Sequence, residues 1–205
     1  MKRALILSTL VVIVALININ NVFAGKIILK SGTLSILKSQ KNIRVQFDYS
    51  NMTVGKKLTE EEYVNKKMSE RNEKSQGSGE NWRSGWINAR KDRYQPKFIE
   101  LFNKQTNKQS LTILENGDSQ YTLIVKTVYT EPGFNVGVLR ERARVNFVFL
   151  LVETLNPTKV IAELSADAIP GGQTMGYDFD SSSRIAESYA KVGKMLGQFI
   201  IDEIK

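Results

Sequence analysis

The feature that most constrains the fold is a succession of three β-strand patterns, at Tyr121–Thr130, Val138–Thr154 and Thr158–Ala168. The second pattern places alternate apolar residues on one face, namely Ala143, Val145, Phe147, Phe149 and Leu151. Alternation with a period of two is typical of a strand with one face on a hydrophobic core. Strands this close in sequence usually pair antiparallel, so the chain is expected to form a meander above its core.

Further elements precede this meander. Ile43–Ser50 alternates as clearly, while Lys26–Leu29 and Leu111–Leu114 predict shorter strands, the first at a sheet edge. Thr59 followed three residues later by Glu62 is a capping-box pattern, which predicts that a helix begins there. A second helical segment follows Ser75–Trp82, and Pro96 either kinks it or begins a new helix.

The chain ends in a helical pattern from about Ser182 to Ile204, with Asp180 or a following serine as its cap. Gly193 and Gly197 continue a row of small residues, which we expect to let this helix approach the sheet closely. Together these elements predict one α+β domain at residues 25–205. We expect an antiparallel-rich sheet of about five strands, with helices packed mainly on one face.

Residues 1–24 have the layout of a signal peptide. Lys2 and Arg3 precede an apolar run, and Val22–Ala24 places small side chains before Gly25. The apolar run is too short to span a bilayer comfortably, and no cysteine follows it, so we expect no stable membrane anchor. The sequence therefore predicts a periplasmic or secreted protein.

The composition restricts the kinds of catalytic and metal site that the chain can form. The chain has no His and no Cys, which excludes thiol nucleophiles, Ser-His triads and almost any zinc site. We expect no metal and no cofactor.

Basic residues outnumber acidic ones in residues 25–108, and the reverse holds in residues 109–205. A positive face outside the cytoplasm could bind an anionic envelope component, although solubility alone explains such a charge equally well.

The stretch Thr130–Arg142 contains two glycines, an aromatic residue and several arginines. A phosphate-binding loop needs glycines that lead into a helix, whereas these lead into a strand, which favours a turn or bulge. Phe134, followed by Asn135, is a candidate binding residue because loop aromatics often recognise partners. The alternative is that Phe134 folds back over the sheet edge.

A second candidate surface is the glycine-rich connection at residues 169–179, where Tyr177 and Asp178 are our candidate binding residues. Asp178 and Asp180 could begin a calcium loop, but the later ligands are missing. They could also be paired acids of a hydrolase, although nothing supplies a substrate cleft. A flexible connector before the last helix is the simpler interpretation.

The third candidate surface is Trp82–Lys97, in which two tryptophans alternate with basic residues. Trp86, Arg90 and Arg93 are the candidate binding residues. Such a pattern can bind single-stranded nucleic acid, but export makes nucleic acid an unsuitable partner. The alternative is that the tryptophans anchor the helix to the sheet while the charges face water.

Several strand phrases resemble those of small periplasmic α/β domains. They are Ile43–Asn51, Asp118–Thr127 and Phe149–Leu164. The chain resembles the TolB amino-terminal domain, the curli-secretion lipoprotein and the lipoprotein activators of peptidoglycan synthases, and also small secreted bacterial proteins of unknown function. It departs from them at Thr154 and Pro157, and it lacks the lipidated cysteine. The resemblance implies an α/β sandwich that binds envelope proteins, not an enzyme.

The sequence thus predicts a non-catalytic, exported binding module of the cell envelope. Its expected partner is an envelope protein or an anionic component such as a lipid headgroup or a glycan. The alternative is a lipid- or small-molecule-binding protein with an apolar pocket between the helix of Trp82–Phe102 and the sheet. A hydrolase that uses Asp178, Asp180 or Glu153 is a third option.

Overall fold

The structure, a computed structural model, describes residues 25–136, 139–172 and 180–205. The predicted signal peptide at residues 1–24 lies outside these ranges. No helix in the described ranges is long and apolar enough to cross a membrane.

The chain alternates between strands and helices before a β-rich second half. The strands are β1 (Ile27–Gly32), β2 (Asn42–Asp48), β3 (Thr53–Val54), β4 (Leu58–Thr59), β5 (Thr112–Leu114), β6 (Tyr121–Glu131), β7 (Phe134–Val136), β8 (Leu139–Glu141), β9 (Ala143–Glu153) and β10 (Asn156–Gly171). The helices are α1 (Glu60–Asn72), α2 (Ser78–Ala89), α3 (Gln95–Thr106) and α4 (Ser181–Ile204), and a π-helical turn at Arg90–Tyr94 joins α2 to α3.

The predicted α+β class is confirmed, but the main sheet is mixed rather than purely antiparallel and has eight strands instead of about five. Its central order is β1-β10-β9-β6-β2-β5, in which β10, β9 and β6 form the predicted antiparallel meander. The segment from α1 to α3 carries the chain from β2 to β5 and β6, which both pair parallel to β2. Parallel neighbours need such a long crossover, and the alternation of residues along one strand does not reveal it.

The predicted helix ends are largely confirmed. Thr59 and Glu62 form the capping box of α1, and the Asp180 side chain accepts a hydrogen bond from the Ser182 N–H at the start of α4. Pro96 lies in the first turn of α3, where the missing N–H costs nothing. A new α-helix therefore begins at Gln95, directly after the π-helical turn.

The core lies between one face of the sheet and the helices α3 and α4. Phe147 and Phe149 of β9 are fully buried, and they contact Tyr189 of α4 and Phe98 of α3. The small residues of α4 do not face the sheet as predicted. A Cβ on Gly193 would lie 2.4 Å from the backbone oxygen of Phe98, so this row lets α4 approach α3.

Candidate functional site

Parts of the three predicted surfaces lie around the first turn of α4, namely Pro132 and Gly133, Gly171 and Asp180, and Arg93. The Arg184 side chain is only 3% exposed, although an arginine in a first helical turn is ordinarily solvated. Its Nε donates a hydrogen bond to the carbonyl oxygen of Pro132 at 3.1 Å, and one terminal nitrogen donates to that of Gly133 at 3.1 Å. Arg184 therefore fastens the segment that enters β7 to the start of α4.

The hairpin of β7 and β8 stands apart from the main sheet as a separate two-stranded pair. Gly133 has a φ of +63° at its entrance, and a Cβ there would lie 2.3 Å from the backbone oxygen of Glu141. Its N–H donates to the Glu131 carboxylate at 3.1 Å. As predicted, a glycine bends the chain into a strand here; Gly137, the other glycine of this stretch, lies outside the described residues.

One face of this hairpin carries three exposed apolar side chains beside the charged Glu141. Phe134 pairs with Glu141 and Val136 pairs with Leu139, so their side chains share a face, whereas Asn135 points to the opposite face with Arg140. The exposed fractions are 43% for Phe134, 68% for Val136 and 64% for Leu139. Phe134 therefore does not fold back into the core, and Asn135 lies behind the apolar face.

The glycine-rich connection leaves the sheet at the same end as the hairpin. Its first described residues end β10 at Gly171, where a Cβ would lie 1.9 Å from the backbone oxygen of Arg184. Its far end is Asp180, which caps α4. Tyr177 and Asp178 lie outside the described residues, but both ends of their loop lie beside the α4 turn that holds the hairpin.

Arg93 links the π-helical turn to the start of α4. One of its terminal nitrogens lies 2.6 Å from the Asp180 carboxylate and donates to the hydroxyls of Ser182 and Ser183 at 2.9 Å and 2.8 Å. Burial alone would raise the pKa of Asp180, but hydrogen bonds from Ser182 and the Arg93 guanidinium outweigh it and lower this pKa. Asp180 is thus held ionised as a helix cap.

Trp86 and Arg90, by contrast, are engaged within the fold. Trp86 is 6% exposed, and its indole N–H donates to the Glu60 carboxylate at 2.6 Å. Arg90 pairs with the same carboxylate, and its guanidinium lies 4.3 Å from the centre of the Tyr49 ring. These two candidate residues link α1 to α2 and the π-helical turn, which agrees with an anchoring role rather than with an accessible binding surface.

A cleft of about 290 Å³ lies beside this cluster. Its lining includes Trp82, Asn88, Asp92, Arg93 and Ser182. No group of three or more His, Cys, Asp or Glu side chains within the described ranges is arranged to hold a metal ion. Glu153, the other proposed acid, lies at the opposite end of β9 and pairs with Lys159 at 2.5 Å.

Sequence reasoning missed the two residues that organise this end. They are Glu60 and Arg184, to which the sequence analysis assigned no functional role. No periodic pattern distinguishes either from a solvated charge, because their partners, Trp86 and the Pro132 carbonyl, are distant in sequence. The shared location of the two loops could not be predicted either, since it depends on the order of strands in the sheet.

The comparisons with known proteins give only remote matches. No family model matches the chain, and no curated protein sequence matches it significantly. Among solved structures, the PelC dodecamer from Paraburkholderia phytofirmans has a TM-score of 0.37 at 14% identity, covering 82% of this chain and 98% of its own. Protein XCC0632 from Xanthomonas campestris has a TM-score of 0.29 at 15% identity, covering 50% and 60%. The likeness is too remote to assign a function, and it does not confirm the families that the sequence resembles.

Proposed function

We propose that this chain is a non-catalytic interaction module of the cell envelope, and that the apolar face of the β7–β8 hairpin is its contact surface. The observation that carries the proposal is the exposure of Phe134, Val136 and Leu139 on one face of one hairpin. Contiguous exposed apolar side chains mark interaction sites more often than scattered ones do. An aromatic residue among them is the usual anchor of a protein interface.

The attachment of the hairpin to the domain supports its role as a contact surface. An isolated two-stranded hairpin is marginally stable in water, so this one depends on its attachment to the domain. Buried Arg184 supplies that attachment through the carbonyls of Pro132 and Gly133. A rigid support lowers the entropy lost on binding, which favours recognition of a partner.

The partner that this surface fits is an envelope protein with an exposed apolar patch. The predicted export of the chain sets the compartment, and the apolar face suits a protein surface better than a glycan or a free headgroup. Arg140 lies on the opposite face of the hairpin and Arg142 follows it, so both could contact acidic groups at the rim of such an interface.

The alternative pocket behind the Trp82–Phe102 segment receives less support. Phe98 and Phe102 are fully buried, and Phe98 stacks on both Phe102 and Phe149, so these side chains fill the space against the sheet. A hydrolase also receives less support, because the pKa of Asp180 is lowered rather than raised.

The test compares two triple variants of residues 25–205 for retention on isolated envelope fractions. One replaces the hairpin residues, as Phe134→Ser, Val136→Ser and Leu139→Ser. The matched control removes three exposed apolar side chains at the opposite end of the sheet, as Leu114→Ser, Leu155→Ser and Val160→Ser. The proposal predicts that only the hairpin variant loses saturable binding; an equal loss in both variants, or none in either, would refute it.

A further inference from the structure

A second surface lies away from the hairpin, along the outer side of α4. A groove of about 590 Å³ runs between α4 and the beginning of β1, with Gln105 of α3 also in its lining. This volume is within the range of about 300–1,000 Å³ that is typical of small-molecule sites. We call it the lysine groove and define it by its apolar floor, Ile27, Met195 and Phe199, and its rim of Lys26, Lys191 and Lys194.

The floor of the lysine groove is accessible apolar surface. Ile27, Met195 and Phe199 pack against the edge of the core, yet each remains partly exposed. Met195 and Phe199 are four residues apart on α4, so they are neighbours on one helix face. A flexible methionine beside an aromatic ring adapts readily to an acyl chain.

Lys191 and Lys194 supply exposed positive charge at the rim of the groove. Lys191 and Lys194 are exposed, and within residues 25–136, 139–172 and 180–205 neither forms an ion pair. The acidic lining residue, Asp202, lies 2.6 Å from the Lys205 ammonium and accepts a hydrogen bond from Gln198 at 3.0 Å. These two hydrogen bonds lower the pKa of Asp202, which leaves the carboxylate ionised and already neutralised by Lys205.

We propose that the lysine groove binds a fatty acid with an acyl chain of about twelve carbons or more. The acyl chain would lie on the apolar floor, and the carboxylate would lie at the rim beside Lys191 and Lys194. The apolar stems of the lysines would lengthen the floor while their ammonium groups reach the carboxylate. The proposal combines apolar area with a complementary charge, and it does not depend on the function proposed for the hairpin.

The test uses residues 25–205, which contain all the described elements and one continuous core. Laurate, below its micelle concentration and at low salt, is titrated calorimetrically, with dodecyltrimethylammonium as a probe of equal chain length and opposite charge. The proposal predicts saturable binding of one laurate, with the cation bound at least about tenfold more weakly. High salt should weaken laurate binding, because the screening length falls to about 3 Å at 1 M.

Two double variants distinguish the effect of the groove lysines on laurate binding from the effect of the net charge of the protein. Lys191→Glu with Lys194→Glu should weaken laurate binding about tenfold. Lys91→Glu with Lys97→Glu makes the same change in net charge at exposed positions outside the groove lining, and should leave the affinity unchanged. All four positions are exposed, so folding should be preserved.

Several outcomes would overturn the proposal. They are the absence of saturable laurate binding, equal losses in the two double variants, and equal binding of the anionic and cationic probes. Binding only to phosphatidylglycerol vesicles would instead assign the lysines to a membrane surface. Dimerisation abolished by the Lys191 and Lys194 substitutions, without laurate binding, would make the groove an interface between two copies of the chain.

Discussion

The hairpin end of the domain and the seam between α3 and α4 both depend on a glycine where a Cβ would clash with backbone. At the seam, Gly193 lies against the Phe98 carbonyl, and Phe98 and Val192 beside it are fully buried. At the hairpin, Gly133 lies against the Glu141 carbonyl, yet the side chains that follow it are exposed.

Close contact between backbones therefore has different consequences at the two places. At the α3–α4 seam, close approach removes apolar surface from water, which is the dominant source of folding stability. At the hairpin, the close contact at Gly133 fixes the direction of a strand pair whose exposed apolar side chains remain in solvent. Substitutions at the seam should therefore change the free energy of unfolding, whereas substitutions on the hairpin face should mainly change binding.

The largest effect is expected for Gly193→Ala. The new Cβ would lie 2.4 Å from the Phe98 backbone oxygen, and a backbone atom cannot move aside as a flexible side chain can. We expect the free energy of unfolding to fall by about 3 kcal/mol, although alanine favours a helix over glycine by about 1 kcal/mol. Urea denaturation monitored by circular dichroism measures this loss.

Gly85→Ala is the matched control for this prediction. Gly85 lies inside α2, and nothing is within 4 Å of the position that its Cβ would occupy. The same substitution should therefore stabilise the protein by about 0.5–1 kcal/mol. Equal effects at Gly193 and Gly85 would contradict the close packing of α4 on α3.

A smaller loss is expected for Arg184→Met, which keeps the apolar stem and removes the guanidinium. The carbonyls of Pro132 and Gly133 would lose a buried donor, at a cost of about 2 kcal/mol. The hairpin should also loosen, so amide hydrogen exchange should accelerate at Phe134–Val136 more than in β9. Unchanged exchange in the hairpin would show that Arg184 does not hold it.

Phe134→Ala should change stability by less than about 1 kcal/mol, because the Phe134 side chain is largely exposed and lies outside the core. Binding to the envelope fraction should nevertheless weaken, since the aromatic side chain is the expected anchor of the interface. The melting temperature and the retained fraction are measured on the same preparation. A large fall in melting temperature would make Phe134 a core residue and remove the contrast between the two regions.

The smallest effect is expected for Asp180→Asn, which retains a cap oxygen for Ser182 and removes the charge beside Arg93. The Asp180 side chain is 51% exposed, so the lost ion pair should cost only about 0.2–0.5 kcal/mol near neutral pH. Since the pKa of Asp180 is lowered in the folded state, its contribution is present above the ordinary value of 3.8 and is lost as the pH falls below it.

Denaturation of both proteins at two pH values tests this sign. The native protein should be slightly more stable than the Asp180→Asn variant near about pH 6, and the difference should shrink as the pH falls below the ordinary pKa of 3.8. A difference that grows as the pH falls would contradict the lowered pKa of Asp180.

The elements that sequence alone predicted are those with local signals. The alternation in β9, the Thr59–Glu62 capping box and the limits of α4 are confirmed because each depends on residues that are neighbours in the chain. The parallel pairing of β2 with β6 was missed, since it follows from a crossover of more than 70 residues between paired positions Arg44 and Thr122. The small residues of α4 were recognised, but their partner was wrong, because spacing shows a close contact without showing what is contacted.

The candidate site was predicted only in part, because local sequence signals do not show tertiary contacts. The sequence left Phe134 either as an exposed recognition residue or as a side chain folded over the sheet edge, and its exposure favours the first. It could not distinguish Arg93, which remains half exposed, from Arg90, which lies over the Tyr49 ring, because both are basic residues of one segment. Their difference arises from tertiary contacts with Asp180 and Glu60.

The most direct test of the hairpin as a contact surface is photo-crosslinking in living cells. A photoreactive amino acid replaces either Val136 on the hairpin or Leu155, which is fully exposed at the opposite end of the sheet. The account predicts a discrete crosslinked protein from position 136, abolished by Phe134→Ala, and none from position 155. No adduct from position 136, or the same adducts from both positions, would contradict it.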